Sequence, residues 1–505
     1  MIQPSPRPPR APAWFRAALT IALAVAGCAG RAEQAAPAPP TLRASRPNIV
    51  VIMADDHAAH AIGSYGSVIN RTPNIDRLAR EGLRFTNAFC ENSLCSPSRA
   101  AILTGKYSHA NGVPDLKAPL PVDQITFPEL LREVGYETAF IGKWHLHRHP
   151  TGFDHWEMLP EQGEYYDPAF ISPGPQGKGV RTKTNGYATD IITDKSIAWL
   201  RSRDPDKPFL LLTWHKAPHR PWSPPKDARY ANLYEADEIP YPPTFDDDYA
   251  TRSDAARRQA MSIERNLSPN DLKQAPPPGL QGEALKRWKY QRYIKDYLRC
   301  IASLDDNVGR LLDFLDAEGL ASKTIVIYTS DQGFFLGDHG WYDKRFMYEE
   351  ALRMPLLVRF PGAIVAGTTC DRPVLNIDFA PTLLDLAGAD AAPTMQGVSL
   401  RPLLEGRSPS DWRTATYYHY YDDGPEHNVA AHFGLRTDRY KLIRFYGKVE
   451  AWELYDLHAD PRELHNLAGD PAHARILAEL KDELSRQRRL YGDTAGPDDP
   501  PPQKE

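Results

Sequence analysis

The sequence predicts an α/β fold in which a central, mostly parallel sheet is flanked by helices and followed by a smaller C-terminal antiparallel sheet and helix. Three observations carry this. Continuous apolar runs at 47–54, 138–141, 208–214 and 324–329 have the character of strands buried on both faces. Helical patterns separate them, as the crossovers between parallel strands require. From about residue 410 the pattern changes to short strands divided by polar turns, at 417–421, 432–436, 441–446 and 452–456, which is how a small antiparallel sheet reads. A chain of 505 residues, 42% hydrophobic, has enough material for a large core and two structural units.

The N-terminus reads as a targeting segment over residues 1–28. Arg7, Arg10 and Arg16 precede an apolar run at 17–26 that is too short to span a bilayer. Val25-Ala26-Gly27-Cys28 resembles a bacterial lipobox, which implies cleavage before Cys28 and membrane attachment through that lipidated cysteine. An ordinary secretory signal is the alternative, and either reading implies export, to the periplasmic or cell-surface face of the membrane. Residues 29–45, rich in Ala and Pro, read as a flexible tether. The formal charge is -5, and removing the three arginines of the leader takes the remainder to about -8, which argues against a nucleic-acid partner.

The run at 47–54 ends in Asp55-Asp56. Paired carboxylates at the end of a central strand stand where α/β folds place ligands, and their repulsion is most simply relieved by a cation between them. A helix follows at 72–81, with Thr72 as cap, Pro73 at its first position and Gly82 terminating it. Cys95-Ser96-Pro97-Ser98-Arg99 then starts a helix with the cysteine at its N-terminus. Pro97 fits the first turn, and Arg99 lies one turn from Cys95 on the same face. Taken alone this is either an anion site with a nucleophile at its mouth or a buried structural cysteine in a turn. With only Cys90, Cys300 and Cys370 besides it and Cys28, disulfides do not organise the chain.

Thr126 and Glu129 fit a capping box for a helix at 126–134, which delivers the strand at 138–141 and, at its exit, Gly142-Lys143-Trp144-His145. The strand at 208–214 leads to His215, His219 and Pro221, of which His215 reads as a structural histidine. Residues 223–285 are an irregular excursion suited to a pocket rim. A long helix over 286–319 carries one apolar stripe, and Asp305 and Asp306 on it receive no metal role. The strand at 324–329 ends in Ser330-Asp331-Gln332-Gly333, a second acidic strand end able to close a metal site from the opposite side. Lys344 follows, and residues 353–358 resume a buried strand. Asp470 and Pro471 start a last helix, and residues 493–505 read as a disordered tail. The domain boundaries expected are therefore 46–409 for the main domain and 410–492 for the C-terminal subdomain.

Residues 95–105, Cys-Ser-Pro-Ser-Arg-Ala-Ala-Ile-Leu-Thr-Gly, resemble the signature of the type I sulfatases, in which this cysteine is oxidised after translation to formylglycine. Gly142-Lys143-x-His145 and Ala217-Pro218-His219-x-Pro221 resemble two further elements of that family. The resemblance covers roughly residues 45–490 and implies an alkaline-phosphatase-like fold. It also implies a maturation enzyme, and one divalent ion, calcium in most members, held by Asp55, Asp56, Asp331 and Gln332. Many members have Asp-Asn where this chain has Asp331-Gln332, so Gln332 is the less secure ligand. By the same analogy Arg99, Lys143 and Lys344 face the sulfuryl oxygens, and a hydroxyl of hydrated residue 95, activated beside the ion and Asp331, attacks sulfur. His219 or Lys344 then protonates the departing alcohol, and His145 takes the proton of the second hydroxyl as sulfate leaves.

Three further stretches, 92–95, 105–113 and 331–350, resemble the bacterial branch related to N-acetylglucosamine-6-sulfatases. This implies a 6-O-sulfate of glucosamine-type sugars as substrate, with His109, His432 and Arg436 expected to contact the sugar. The alternatives are an arylsulfatase, a choline-sulfatase-like enzyme, a phosphonate or phosphodiester hydrolase on the same scaffold, or an inactive glycan-binding protein.

Overall fold

The structure, a computed structural model, describes residues 46–497. The expected leader with Cys28, the tether and residues 498–505 lie outside the described residues.

Five strands form the parallel centre of a ten-stranded sheet, in the spatial order Thr324–Ser330, Asn48–Ala54, Phe209–Trp214, Glu137–Lys143 and His155–Leu159. The flanks include antiparallel pairings, with one parallel pair, Leu83–Phe85 and Thr368–Cys370, at an outer edge. Leu356–Arg359 runs antiparallel to Thr324–Ser330 and leads to Leu83–Phe85 and Thr368–Cys370, while the hairpin Ala169–Pro173 and Gly179–Lys183 closes the other edge. The sheet is thus parallel at its centre and mixed overall. The expected strand at 353–358 begins only at Leu356, because Met354 donates its N–H to Ala88 and lies outside the ladder.

Alternation along Asn48–Ala54 explains its unbroken apolar run. Ile49, Val51 and Met53 enter one core, with Ala100, Leu103, Leu383 and Leu384 of the helices Cys95–Thr104 and Phe379–Ala387. Val50, Ile52 and Ala54 enter the opposite core, against Ile191 and Ile192 of Ala188–Ser202 and Tyr297, Ile301 and Leu304 of Gly282–Ala317. A strand between two helical layers has no solvent face on which to place a polar residue.

The register of the centre positions the site. Ala54 pairs with Ser330, so Asp55 and Asp331 leave adjacent strands at the same level. Met53 pairs with Trp214 on the other side, and Gly142 pairs with Trp214. Gly142 has φ +123°, and a Cβ there would lie 1.9 Å from the Trp214 carbonyl oxygen, so only glycine lets the strand bring Lys143 this close.

Three sequence expectations change. Thr72 sits at the N-cap of Pro73–Glu81, but its hydroxyl accepts the Gly63 N–H at 2.9 Å and makes no cap bond. The C-terminal strands, Ala415–Tyr420, His432–Thr437, Tyr440–Phe445 and Ala451–Asp456, form the expected antiparallel sheet, yet Tyr417, Leu435, Leu442 and Leu454 share the core of the helix Cys95–Thr104. The boundary near 410 is a change of sheet within one core. Asp493, expected in a disordered tail, is buried and accepts from Tyr417 and Tyr421 at 2.7 and 3.0 Å.

Candidate active site

Each strand of the parallel centre except the last delivers a functional side chain at its C-terminal end. Asp55 and Asp56 follow Asn48–Ala54, Asp331 and Gln332 follow Thr324–Ser330, Lys143 ends Glu137–Lys143, and His219 lies beyond Phe209–Trp214. Cys95 opens its helix beneath them, fully buried, with Sγ 3.5 Å from Asp55 Oδ1. Arg99, one turn on, places Nη2 2.9 Å from Asp331 Oδ2 and 3.3 Å from Asp55 Oδ2, and so ties the two acidic strand ends together. Its Nη1 donates to the Lys143 carbonyl, and Lys143 Nζ is ion-paired with Asp55. Lys344 Nζ contacts both oxygens of Asp56, at 2.7 and 2.8 Å.

Ligand atoms of Asp55, Asp56 and Asp331 all lie within 4.8 Å of one another, and all three residues are buried. Gln332 donates its amide to Asp56, and its Oε1 is buried without a hydrogen-bond partner. Three converging carboxylates plus one unclaimed amide oxygen form an oxygen-only donor set, which suits a hard divalent cation and offers a softer metal little. Asp55, Cys95 and His219 form a second convergent group. The nucleophile position, the imidazole and the acidic site thus meet at one carboxylate.

Burial pushes the Asp55 carboxyl up, but Lys143, His219, Arg99 and Lys344 together outweigh it and hold the group well below the usual range. Asp56 behaves oppositely: burial, reinforced by Asp55, Asp331 and Asp343, outweighs Lys344 and raises it to about 7. Burial and then Asp55 push the Cys95 thiol above its ordinary value, so an unmodified Cys95 is protonated at neutral pH and a poor nucleophile. Burial, followed by Lys143 and Arg99, lowers the His145 imidazole to about 2 and leaves it a neutral proton acceptor. His145 Nδ1 is 3.4 Å from Ser96 Oγ, and its Nε2 is 3.3 Å from Gln162 Nε2. His219 Nδ1 sits 2.7 Å from the Arg220 carbonyl oxygen, which only an N–H can satisfy, so Nε2 is the position turned to Asp56 Oδ2 at 3.7 Å.

The structure therefore brings Cys95, Arg99, Lys143, His145, His219, Lys344, Asp55, Asp56, Asp331 and Gln332 into one site. It does not bring the three residues expected to contact the sugar. His109 Nε2–H donates to the Tyr491 carbonyl at 2.8 Å, and its Nδ1 pairs with the Tyr421 hydroxyl at 3.2 Å, beneath the C-terminal helix. His432 is buried, with Nε2 accepting the Met347 N–H at 3.1 Å and Nδ1 2.8 Å from the Ala430 carbonyl. Arg436 is ion-paired with Glu349 at 2.9 Å and lies over the Phe89 ring. All three are corrected to packing positions, because their polar atoms are already engaged by the protein.

Sequence reasoning missed other residues. Lys216 is buried, donates to the Gln162 carbonyl at 3.0 Å, and is lowered to about 8 by burial and then Lys143. Gln162 also accepts from Lys143 at 2.6 Å. On the opposite side Asp343 meets Arg345 at 2.5 Å, His427 at 3.4 Å and Arg220 at 3.8 Å. The charged run Asp343-Lys344-Arg345 was a readable signal for that wall, whereas nothing local marked Gln162. Asp56, His145, Asp343 and Arg345 all have positive φ, a conformation costly for side-chain-bearing residues.

Comparison with known proteins agrees with this geometry. The sulfatase family pattern matches residues 47–389, and that of the N-sulphoglucosamine sulphohydrolase C-terminal region matches residues 337–490. An N-acetylglucosamine-6-O-sulfatase of Bacteroides thetaiotaomicron is 45% identical over 94% of this chain and 90% of its own length. The human N-acetylglucosamine-6-sulfatase is 31% identical over 75% of this chain and 68% of its own length. The solved structure of BT4656, in complex with its substrate D-glucosamine-2-N,6-O-disulfate, superposes with a TM-score of 0.86 at 45% identity, over 91% of this chain and 100% of that one.

Proposed function

This chain belongs to the sulfatase family, and from that premise we propose that it removes the 6-O-sulfate of glucosamine-type sugars in sulfated glycans, with residue 95 acting as formylglycine. The observation that carries the reading is the placement of Cys95 at a helix N-terminus, 3.5 Å from Asp55, inside a ring formed by Arg99, Lys143, Lys344 and three carboxylates. A buried, protonated thiol suits that position poorly, whereas a hydrated aldehyde there offers one hydroxyl for attack on sulfur and a second whose proton His145 takes. The names and extents of the similar N-acetylglucosamine-6-sulfatases support the choice of substrate.

Asp55, Asp56, Asp331 and Gln332 are the residues we assign to a calcium ion, which when bound supplies positive charge to the sulfuryl oxygens and the attacking oxygen. Arg99 fixes Asp331 and Asp55 relative to Cys95, and Lys143 and Lys344 carry cationic charge toward the same space. His219 and Lys344 stand on the Asp56 side and are assigned to the departing alcohol, and His145, next to Ser96, to the opposite side. Asp343, ion-paired with Arg345 and close to His427, forms the charged wall beside Lys344. The leader pattern with Cys28 supports an exported, membrane-attached protein that meets such glycans outside the cytoplasm and depends on a maturation enzyme.

The test pairs chemistry with turnover. Mass spectrometry of the peptide spanning residue 95 is expected to show a loss of about 18 Da, the difference between thiomethyl and aldehyde side chains. The same preparation is expected to desulfate N-acetylglucosamine-6-sulfate faster than aryl or choline sulfate. Folded protein with an unmodified Cys95, or one that prefers the aryl or choline ester, defeats the reading.

A further inference from the structure

A cavity of about 450 Å³ opens beside His145 and is lined by Trp144, His147, Arg148, His149, Glu161 and Ile171, among others. It adjoins the reaction site through one imidazole, since His145 also reaches Ser96, the residue after the nucleophile. Of the catalytic residues assigned above, only His145 borders this space.

On one side Ile171 brings in the edge hairpin Ala169–Pro173 and Gly179–Lys183. Ile171 pairs directly with Arg181, and Ala169 with Lys183. Residues directly opposite in an antiparallel pair project to the same face, and alternate residues of one strand share it. Arg181 and Lys183 therefore stand on the face that Ile171 presents to the cavity. Both are exposed and have no hydrogen-bond or ion-pair partner among the described residues. The hairpin is in contact with the cavity wall: a Cβ on Gly179 would lie 3.1 Å from His149 Nε2. His149 in turn packs on Trp156 with ring centroids 5.1 Å apart. Most lysines and arginines near the site are ion-paired, so two unpartnered cations on one face of this hairpin, Arg181 directly opposite a cavity residue and Lys183 two residues on, mark this edge as a place for external negative charge. Glu161 is the opposing charge in the lining, and it restricts the favourable ground to the hairpin side.

We propose that this cavity is a subsite for the sugar neighbouring the one that is desulfated, and that Arg181 and Lys183 bind an anionic group on that neighbour. The inference rests on the sulfatase reading given above. The shared chemistry is a carboxylate or a sulfate on an adjacent saccharide. The contacts lie at an exposed rim, so they act on capture of the longer substrate and leave the chemical step alone.

The experiment compares the unaltered protein with Arg181→Ala/Lys183→Ala on four 6-O-sulfated glucosamine substrates: the monosaccharide and disaccharides whose neighbouring sugar is neutral, a uronate or itself sulfated. The expected result is an increase in KM of about three- to tenfold for the anionic disaccharides, with kcat unchanged. The monosaccharide and the neutral disaccharide are expected to keep their kcat/KM. A larger effect on the uronate or on the sulfated neighbour identifies the source of the charge, and the difference is expected to shrink as salt rises. Equal effects on all four substrates, or none on the anionic pair, overturn the subsite while leaving the sulfatase reading intact. Failure of the unaltered protein to turn over the monosaccharide overturns the sulfatase reading and the subsite with it.

Discussion

Lys344 Nζ spans the two carboxylate oxygens of Asp56, at 2.7 and 2.8 Å, and both side chains are buried. Asp56 raises the Lys344 ammonium above its ordinary value against a burial penalty, so this lysine is charged throughout the working pH range. A fixed cation on the leaving-group side matters most when the departing alcohol is poor. We therefore expect Lys344→Ala to lower kcat on N-acetylglucosamine-6-sulfate by about two to three orders of magnitude, and to lower it far less on an aryl sulfate whose phenolate leaves unaided. Equal losses on both esters would move Lys344 from the departing alcohol to general support of Asp56.

Chelation addresses the acidic cluster. Asp55, Asp56 and Asp331 bring three buried carboxylates within 4.8 Å. Dialysis against a calcium chelator is expected to abolish turnover and lower Tm, and calcium is expected to restore both more effectively than zinc, because the donors are all oxygen. Unchanged activity after verified metal removal would refute the ligand assignment. Asp55→Asn is expected to lose tight calcium binding by calorimetry.

Glu91 supplies a pH dependence separate from the reaction. It is fully buried, it accepts from Ser108 Oγ at 2.8 Å, and burial raises its carboxyl from 4.5 to about 8 against that hydrogen bond. Between those values the folded state holds a proton that the unfolded chain releases, so stability falls as pH rises from about 4.5 to 8. Glu91→Gln stays neutral and keeps an acceptor for Ser108. Its Tm is expected to match the unaltered protein near pH 5 and exceed it above pH 8, and a constant difference across that range would remove Glu91 as the cause.

Much of this site was legible because strand ends are local. The run at 47–54 followed by Asp55-Asp56, and that at 324–329 followed by Asp331, carry their function within a few residues, and the register Ala54 to Ser330 merely joins them. What was not legible depends on partners remote in sequence. His432 is a plausible surface ligand until Met347 and Ala430 claim both its nitrogens. Asp493 sits in a Pro- and Asp-rich stretch that reads as tail, and only the packing of Tyr417, His419 and Tyr421 around it makes it part of the core. Gln162 has no strand or motif to announce it and becomes visible only as the neighbour of Lys143 and His145.

The start of the helix Pro73–Glu81 shows the same limit and can be tested. Thr72 and Pro73 announced the correct position, but the cap comes from Asp305, on the long helix Gly282–Ala317. Its carboxylate accepts the N–H of Asn74 at 3.1 Å and of Ile75 at 2.8 Å, and also the Asn74 side-chain amide at 2.9 Å. Asp305→Ala leaves those donors buried without a partner and is expected to destabilise the fold by about 1–3 kcal/mol in urea denaturation. Asp305→Asn retains an acceptor and avoids ionising a carboxyl that burial raises to about 6, so it is expected to recover most of the loss at neutral pH. Thr72→Val removes the acceptor for Gly63 and the hydroxyl that donates to Asp76 at 3.1 Å, and is expected to cost about 1 kcal/mol. Should Thr72→Val prove the more damaging of the two, the helix would be capped from its own sequence after all, and the bridge between Asp305 and the segment behind Asp55-Asp56 would carry little of the stability.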